Sequence, residues 1–120
     1  MNFFKVILVF FILIPTAFAS SSINANKAPF HLNESLLVCG VALEIKKLNK
    51  RVIINLDDKY PNQNITFLIW DSDVNIFNKK FGSLFLLKNK RICGFGKIEE
   101  YKGHLQIIIK KEQYLRLINE

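Results

Sequence analysis

Cysteine, histidine, glycine and proline are all scarce in this 120-residue chain, at 2, 2, 5 and 3 residues. Each scarcity removes a class of chemistry. Cys39 and Cys93 form no C-x-x-C, so the usual redox motif is missing. His31 and His104 stand far from either cysteine and at no metal-ligand spacing. No glycine-rich stretch could cradle a phosphate. Ser35, Ser72 and Ser83 have no histidine in a recognisable triad arrangement. Asp57-Asp58 and Glu99-Glu100 are sequence neighbours whose side chains point apart on strands, which is no acid–base pair. Asp71-Ser72-Asp73 lacks the further oxygen ligands and the glycine of a calcium loop. Neither catalysis by the chain alone nor a metal or other cofactor is expected.

Long apolar runs are absent but for one. Val6 to Ile14 is uncharged and apolar, follows Lys5, and leads through Pro15 to Ala17-Phe18-Ala19. It is shorter than the roughly 20 residues of a spanning helix. A basic start, a short apolar stretch and an A-x-A end describe a secretory signal peptide over residues 1–19. No cysteine follows that site, so a lipid-anchored form is not expected. The protein is read as periplasmic or secreted.

Acidic residues are outnumbered, 10 against 17 Lys+Arg. Only Lys5 falls in the leader, so the remainder carries 16 Lys+Arg against 10 Asp+Glu, a net +6. Such a charge favours polyanionic partners without choosing among them. Two cysteines in an exported chain suggest one disulfide, Cys39–Cys93. Closing so long a loop contributes about 4 kcal/mol in the chain-entropy account.

Residues 20–28 are polar and without period, and are read as a disordered lead-in to a domain over 29–120. Leu36–Leu48 reads as a long strand with Leu37, Cys39, Val41, Leu43 and Ile45 as its apolar row. Val52–Asp57 follows, with Val52, Ile54 and Leu56 inward and Asn55 outward. Ile65–Trp70 is apolar on both faces, so alternation cannot orient it. Asp71-Ser72-Asp73 before Val74, Phe77 and Phe81 predicts a capped short helix.

Lys88–Lys110 reads as two strands joined at Tyr101-Lys102-Gly103-His104, with Ile92, Gly94, Gly96 and Ile98 on one face. Gly96 predicts a bulge or bend. Gln113–Ile118 reads as a short C-terminal helix. Three strands, a helix and two strands give an all-β class with one short helix. That is the order of a five-stranded Greek-key OB-fold barrel.

Val38-Cys39-Gly40, Tyr60-Pro61-Asn62-Gln63, Ile69-Trp70, Lys90-Arg91-Ile92-Cys93, Gly96-Lys97-Ile98, Tyr101-x-Gly103 and Gln106-Ile107 occur in the order of a known family. The chain resembles small exported bacterial OB-fold proteins, similar to OB domains of the anticodon-binding and helicase-associated type. The likeness runs from about Ala28 to Ile109. It departs at Gly94-Phe95, where a β-branched residue and Thr are usual, and at His104, where a basic residue and proline are usual. It implies an OB barrel and, by analogy, nucleic-acid binding, and both cysteines fall where the family carries Cys. The apolar rows place Cys39 inward and Cys93 outward, so the bond requires a bulge near Gly40 or Gly94.

OB domains bind on the second and third strands, framed by the loop between strands one and two and the loop between strands four and five. Lys46, Lys47, Lys50 and Arg51 lie in the first loop, and Tyr101 and Lys102 in the second. Cations suit phosphates and flat rings suit bases. Trp70, Tyr60 and Tyr101 supply rings, Phe95 a fourth, and Asn55 hydrogen bonds. The expected partner is single-stranded DNA or RNA, bound with little sequence preference. The alternatives are a protein or an oligosaccharide.

Overall fold

The computed structural model describes residues 21–119; the signal peptide expected over residues 1–19 lies outside them. The strands are β1 (Ser22–Asn24), β2 (Ser35–Leu48), β3 (Arg51–Leu56), β4 (Ile65–Trp70), β5 (Arg91–Lys97), β6 (Glu99–Tyr101), β7 (His104–Ile108) and β8 (Leu115–Leu117). One α-helix, α1 (Asp71–Phe81), stands between β4 and β5 as the sequence predicts, but Asp71-Ser72-Asp73 form its first turn rather than its cap, with Trp70 at the N-cap and no side-chain cap bond; short 3-10 segments fill several connections. All eight strands form one mixed sheet in the order β6-β7-β4-β3-β2-β5-β8, with β1 paired to β2. β4 and β7 run parallel, whereas β2 pairs antiparallel with both β3 and β5. Among the described residues no ladder joins β5 to β7, so the strands show no hydrogen-bonded closure of a barrel.

Alternation explains the core. Val52, Ile54 and Leu56 of β3 are buried, as are Ile65, Phe67 and Ile69 of β4. Pairing between β3 and β4 supplies the orientation that β4's own sequence lacks. Phe77, Leu84 and Leu87 add to the same cluster from α1 and the segment after it. β5 carries glycine where the interior is crowded. A Cβ on Gly94 would stand 2.7 Å from the Phe67 ring, and one on Gly96 would stand 2.5 Å from Ile107 Cγ2. The glycines therefore admit close approach of neighbouring side chains rather than a bulge, and the β5 register stays regular through Lys97.

The bulge lies in β2 instead, where the register with β3 shifts between Ala42 and Glu44. Upstream of it Val38 and Ala42 face the core; downstream Ile45 packs against it. An inserted residue exchanges the two faces of a strand. The apolar row expected from Leu37 to Ile45 is therefore wrong for its first half. Cys39 lies on the same outer side as Cys93, directly opposite it in the ladder, and the two are disulfide-bonded. Asp57 satisfies backbone groups at this irregularity: its carboxylate accepts from Val41 N–H at 2.9 Å, and its own N–H donates to Val41 O at 2.8 Å.

Two further expectations are corrected. Residues 20–28 were expected to be a disordered lead-in, yet Ser22–Asn24 is a strand and Ala25–His31 a 3-10 segment with Ala25 and Ala28 buried. β3 pairs only with the second half of β2, leaving the first half with a free edge that β1 takes in parallel. The tail expected as a helix over Gln113–Ile118 is a 3-10 turn, Glu112–Tyr114, followed by β8 on the edge of β5. Six residues gain too few hydrogen bonds to offset helix nucleation, whereas Leu115-Arg116-Leu117 alternates as a strand requires.

Candidate nucleic-acid interface

Cross-strand registry builds one groove from side chains that point away from the core. One row runs Leu48, Arg51, Trp70; the next Lys46, Ile53, Leu68; the third Glu44, Asn55, Thr66, Gln106 and Glu99. Residues from the first two rows, with Asn55, Thr66 and Gln106 of the third, line a groove of about 540 Å³. Tyr60 and Gln63 from the β3–β4 loop, and Tyr101, Lys102, His104 and Leu105 from the β6–β7 hairpin, complete it. Of the residues singled out in the sequence, Lys46, Arg51, Asn55, Tyr60, Trp70, Tyr101 and Lys102 meet in this groove.

Lys47 and Lys50 do not line it. Lys47 pairs with Val52, whose side chain faces the core, so the strand alternation turns it away from the groove, and its Nζ lies 3.2 Å from Asp71. Lys50 occupies a tight turn with φ of +66°. Phe95 is also elsewhere, on β5, with its ring 5.4 Å from that of Tyr114. The sequence reading missed Gln63, Thr66, His104 and Gln106. Polar Gln106 between apolar Leu105 and Ile107 was the one available sign, because alternation puts it opposite the core.

The three proposed rings are accessible: Trp70 is 43% exposed, Tyr101 56% and Tyr60 58%. Tyr60 packs tilted against His104 with centroids 5.2 Å apart, which joins the β3–β4 loop to the hairpin. Lys102 Nζ sits 5.4 Å from the centre of the Tyr101 ring, within reach of a cation–π contact. Arg51 keeps its guanidinium near its own turn, donating to Asn49 O at 3.3 Å.

Asn55 is fully buried and committed to its neighbours. Its Nδ2 donates to Glu44 Oε1 at 2.8 Å, and its Oδ1 accepts from Thr66 Oγ1 at 2.6 Å. It shapes the wall rather than offering free hydrogen bonds. Glu44 Oε1 also accepts the Tyr60 backbone N–H at 3.0 Å, anchoring the loop that carries the ring. That N–H, then the Asn55 amide, hold the Glu44 carboxyl below the usual carboxylate range, against the opposing effect of burial.

A pH dependence follows. A carboxyl whose folded value is depressed adds stability in full above its unfolded value, about pH 4.3. That stability is lost as pH falls through the lower folded-state value. Glu44→Gln is expected to be less stable than wild type at neutral pH, with the gap closing as the solution is made acidic. Urea midpoints of the two proteins at neutral pH and near pH 3 check this; a gap that stays constant counts against it.

No protein-family model matches the chain, and no curated protein matches it. Solved structures do. The Stn1–Ten1 complex of S. pombe aligns at 16% identity and a TM-score of 0.54, over 72% of this chain and 59% of that one. OBody AM1L10 bound to hen egg-white lysozyme aligns at 15% identity and 0.55, over 77% and 86%. A putative aspartyl-tRNA synthetase from Leishmania major aligns at 10% identity and 0.56, over 85% of this chain but only 21% of that one. The likeness establishes an OB-like fold.

Proposed function

We propose that this chain is an exported, non-catalytic binding module that holds single-stranded nucleic acid in the groove across β3, β4 and β7. One observation carries the reading: Lys46, Arg51 and Lys102 converge with Trp70, Tyr101 and Tyr60 on the same groove from four separate segments of the chain. Cations at the rim neutralise phosphates while exposed rings accept stacked bases, with little dependence on sequence. The likeness to part of a putative aspartyl-tRNA synthetase, named for acting on tRNA, supports that class of ligand. The disulfide agrees with an oxidising compartment.

Trp70 is the sole tryptophan, so its fluorescence reports on occupancy directly. Titration with a single-stranded oligonucleotide at rising salt is expected to show quenching that weakens steeply. Each phosphate neutralised adds about 0.7 to the slope of log K against log salt on single strands. The Lys46→Ala/Arg51→Ala/Lys102→Ala variant is therefore expected to flatten that slope by about 2. No fluorescence change at low salt, with the fold intact, transfers the groove to a glycan or to a protein partner, as in the OBody bound to lysozyme.

A further inference from the structure

We propose that the 3-10 segment Leu84–Leu87 is a docking surface separate from the groove, by which the exported chain sits on an anionic lipid bilayer as a peripheral protein. Its four residues, Leu84, Phe85, Leu86 and Leu87, are all apolar, and the fold divides them in two. Leu84 and Leu87 are buried, whereas Phe85 is 50% exposed and Leu86 61%. Three residues per turn place the first and last on one side and leave the middle pair facing outward. Leu86 rests against the end of α1, its Cδ1 3.3 Å from where a Cβ on Gly82 would stand. Neither Phe85 nor Leu86 lines the groove.

An apolar tip enters a bilayer interface at low cost only if its backbone is already paired, because acyl chains offer no hydrogen bonds. Phe85 N–H donates to Ser83 Oγ at 3.2 Å, and Phe85 O accepts the Lys88 N–H at 3.3 Å. Leu86 N–H donates to Ser83 O at 3.1 Å, and Leu84 N–H to Asn78 Oδ1 at 3.0 Å. The tip is therefore shaped before contact, and docking orders little that was free.

Charge selects the occupant. Between Asp73 and Glu99 the sequence holds Lys79, Lys80, Lys88, Lys90, Arg91 and Lys97 and no acidic residue. Lys80 is held by Glu112 O and Leu115 O, and Arg91 by Asn24. Lys88 and Lys90 follow the tip directly, are exposed, and make no ion pair among the described residues. A convex apolar tip bordered by cations matches acyl chains lying behind anionic headgroups. Single-stranded nucleic acid would offer flat bases instead, on which Leu86 has no ring to stack.

The test uses residues 20–120, which contain every strand and the whole core cluster; the expected leader is left off because its apolar run would bind lipid by itself. Co-sedimentation is measured with vesicles of phosphatidylglycerol and phosphatidylcholine in equal parts, and with phosphatidylcholine alone. Binding is expected on the anionic vesicles only, weakening with salt. Phe85→Ser/Leu86→Ser should weaken it by roughly ten- to a hundredfold, since about half of each side chain remains to be buried. Lys88→Gln/Lys90→Gln should weaken it by about thirtyfold, from about fivefold per lysine. Lys46→Gln/Lys102→Gln removes the same charge from the groove and should stay within about threefold of wild type. These side chains are exposed or half-exposed, so unchanged thermal midpoints are expected of all three variants. Phe85→Trp in a Trp70→Phe background reads insertion directly, as a blue shift of emission on the anionic vesicles. No binding to those vesicles overturns the proposal and gives the tip to a protein partner. Binding that survives Phe85→Ser/Leu86→Ser, or that falls equally in the groove variant, overturns it as well, by reducing the attraction to net charge. Oligonucleotide binding by the tip variants should be unchanged, so the groove reading stands or falls separately.

Discussion

Replacing Trp70 and Tyr101 together by alanine is expected to weaken single-strand binding by about 2–6 kcal/mol, two stacking platforms at about 1–3 kcal/mol each. Both rings are substantially exposed and both line the groove. Their removal therefore takes stacking surface from the ligand without opening a cavity in the core. The readout is the anisotropy of a labelled oligonucleotide, since the fluorescent indole is itself removed. The salt slope should stay near its wild-type value, because no phosphate contact has been deleted. The cation variant should show the converse, a flatter slope with the rings in place. A double aromatic variant that binds within threefold of wild type would show that the rings are ordinary surface residues.

Removing the disulfide gives the second large effect, this time on stability. Cys39 and Cys93 are 54 residues apart in sequence and opposite each other across β2 and β5. A crosslink over that span restricts the unfolded chain by an amount worth about 4 kcal/mol in the loop-entropy account. The Cys39→Ala/Cys93→Ala variant should lose most of this, lowering the thermal midpoint by roughly 15–30 °C in a domain near 100 residues. Both sulfurs are nearly buried, so alanine also leaves a small void that adds to the loss. Comparison of oxidised and reduced wild type separates the crosslink from the void. A loss below about 1 kcal/mol would mean that the unfolded chain is already compact around this loop. Groove residues stand on β3, β4, the β6–β7 hairpin and the far end of β2 beyond its bulge, away from the bond, so binding by the folded fraction should persist.

Much of the strand pattern was legible because alternation is a local property. Val52, Ile54 and Leu56 could be oriented from β3 alone, and the Tyr101–His104 turn from its own residues. β4 could not, since a strand apolar on both faces carries no parity. Its groove face, with Thr66, Leu68 and Trp70, is set by the neighbours on either side. β2 misled for a different reason. Its bulge inserts one residue between Ala42 and Glu44, and nothing in the local alternation marks where the faces exchange.

The tail and the lead-in were misread for a related cause. β1 and β8 are three-residue strands, and each forms only because an edge of β2 or β5 is there to receive it. Edges belong to the assembled sheet and leave no trace in the short segments that fill them.

Residue type and local spacing were enough to read off the surplus of basic residues, the strand–helix–strand order and the two cysteines. Which basic side chains share a groove, and that Asn55 is committed to Glu44 and Thr66, came only with the assembled sheet. The reason is physical: a side chain's partners are fixed by cross-strand register. Register is settled only when strands far apart in the chain have come together.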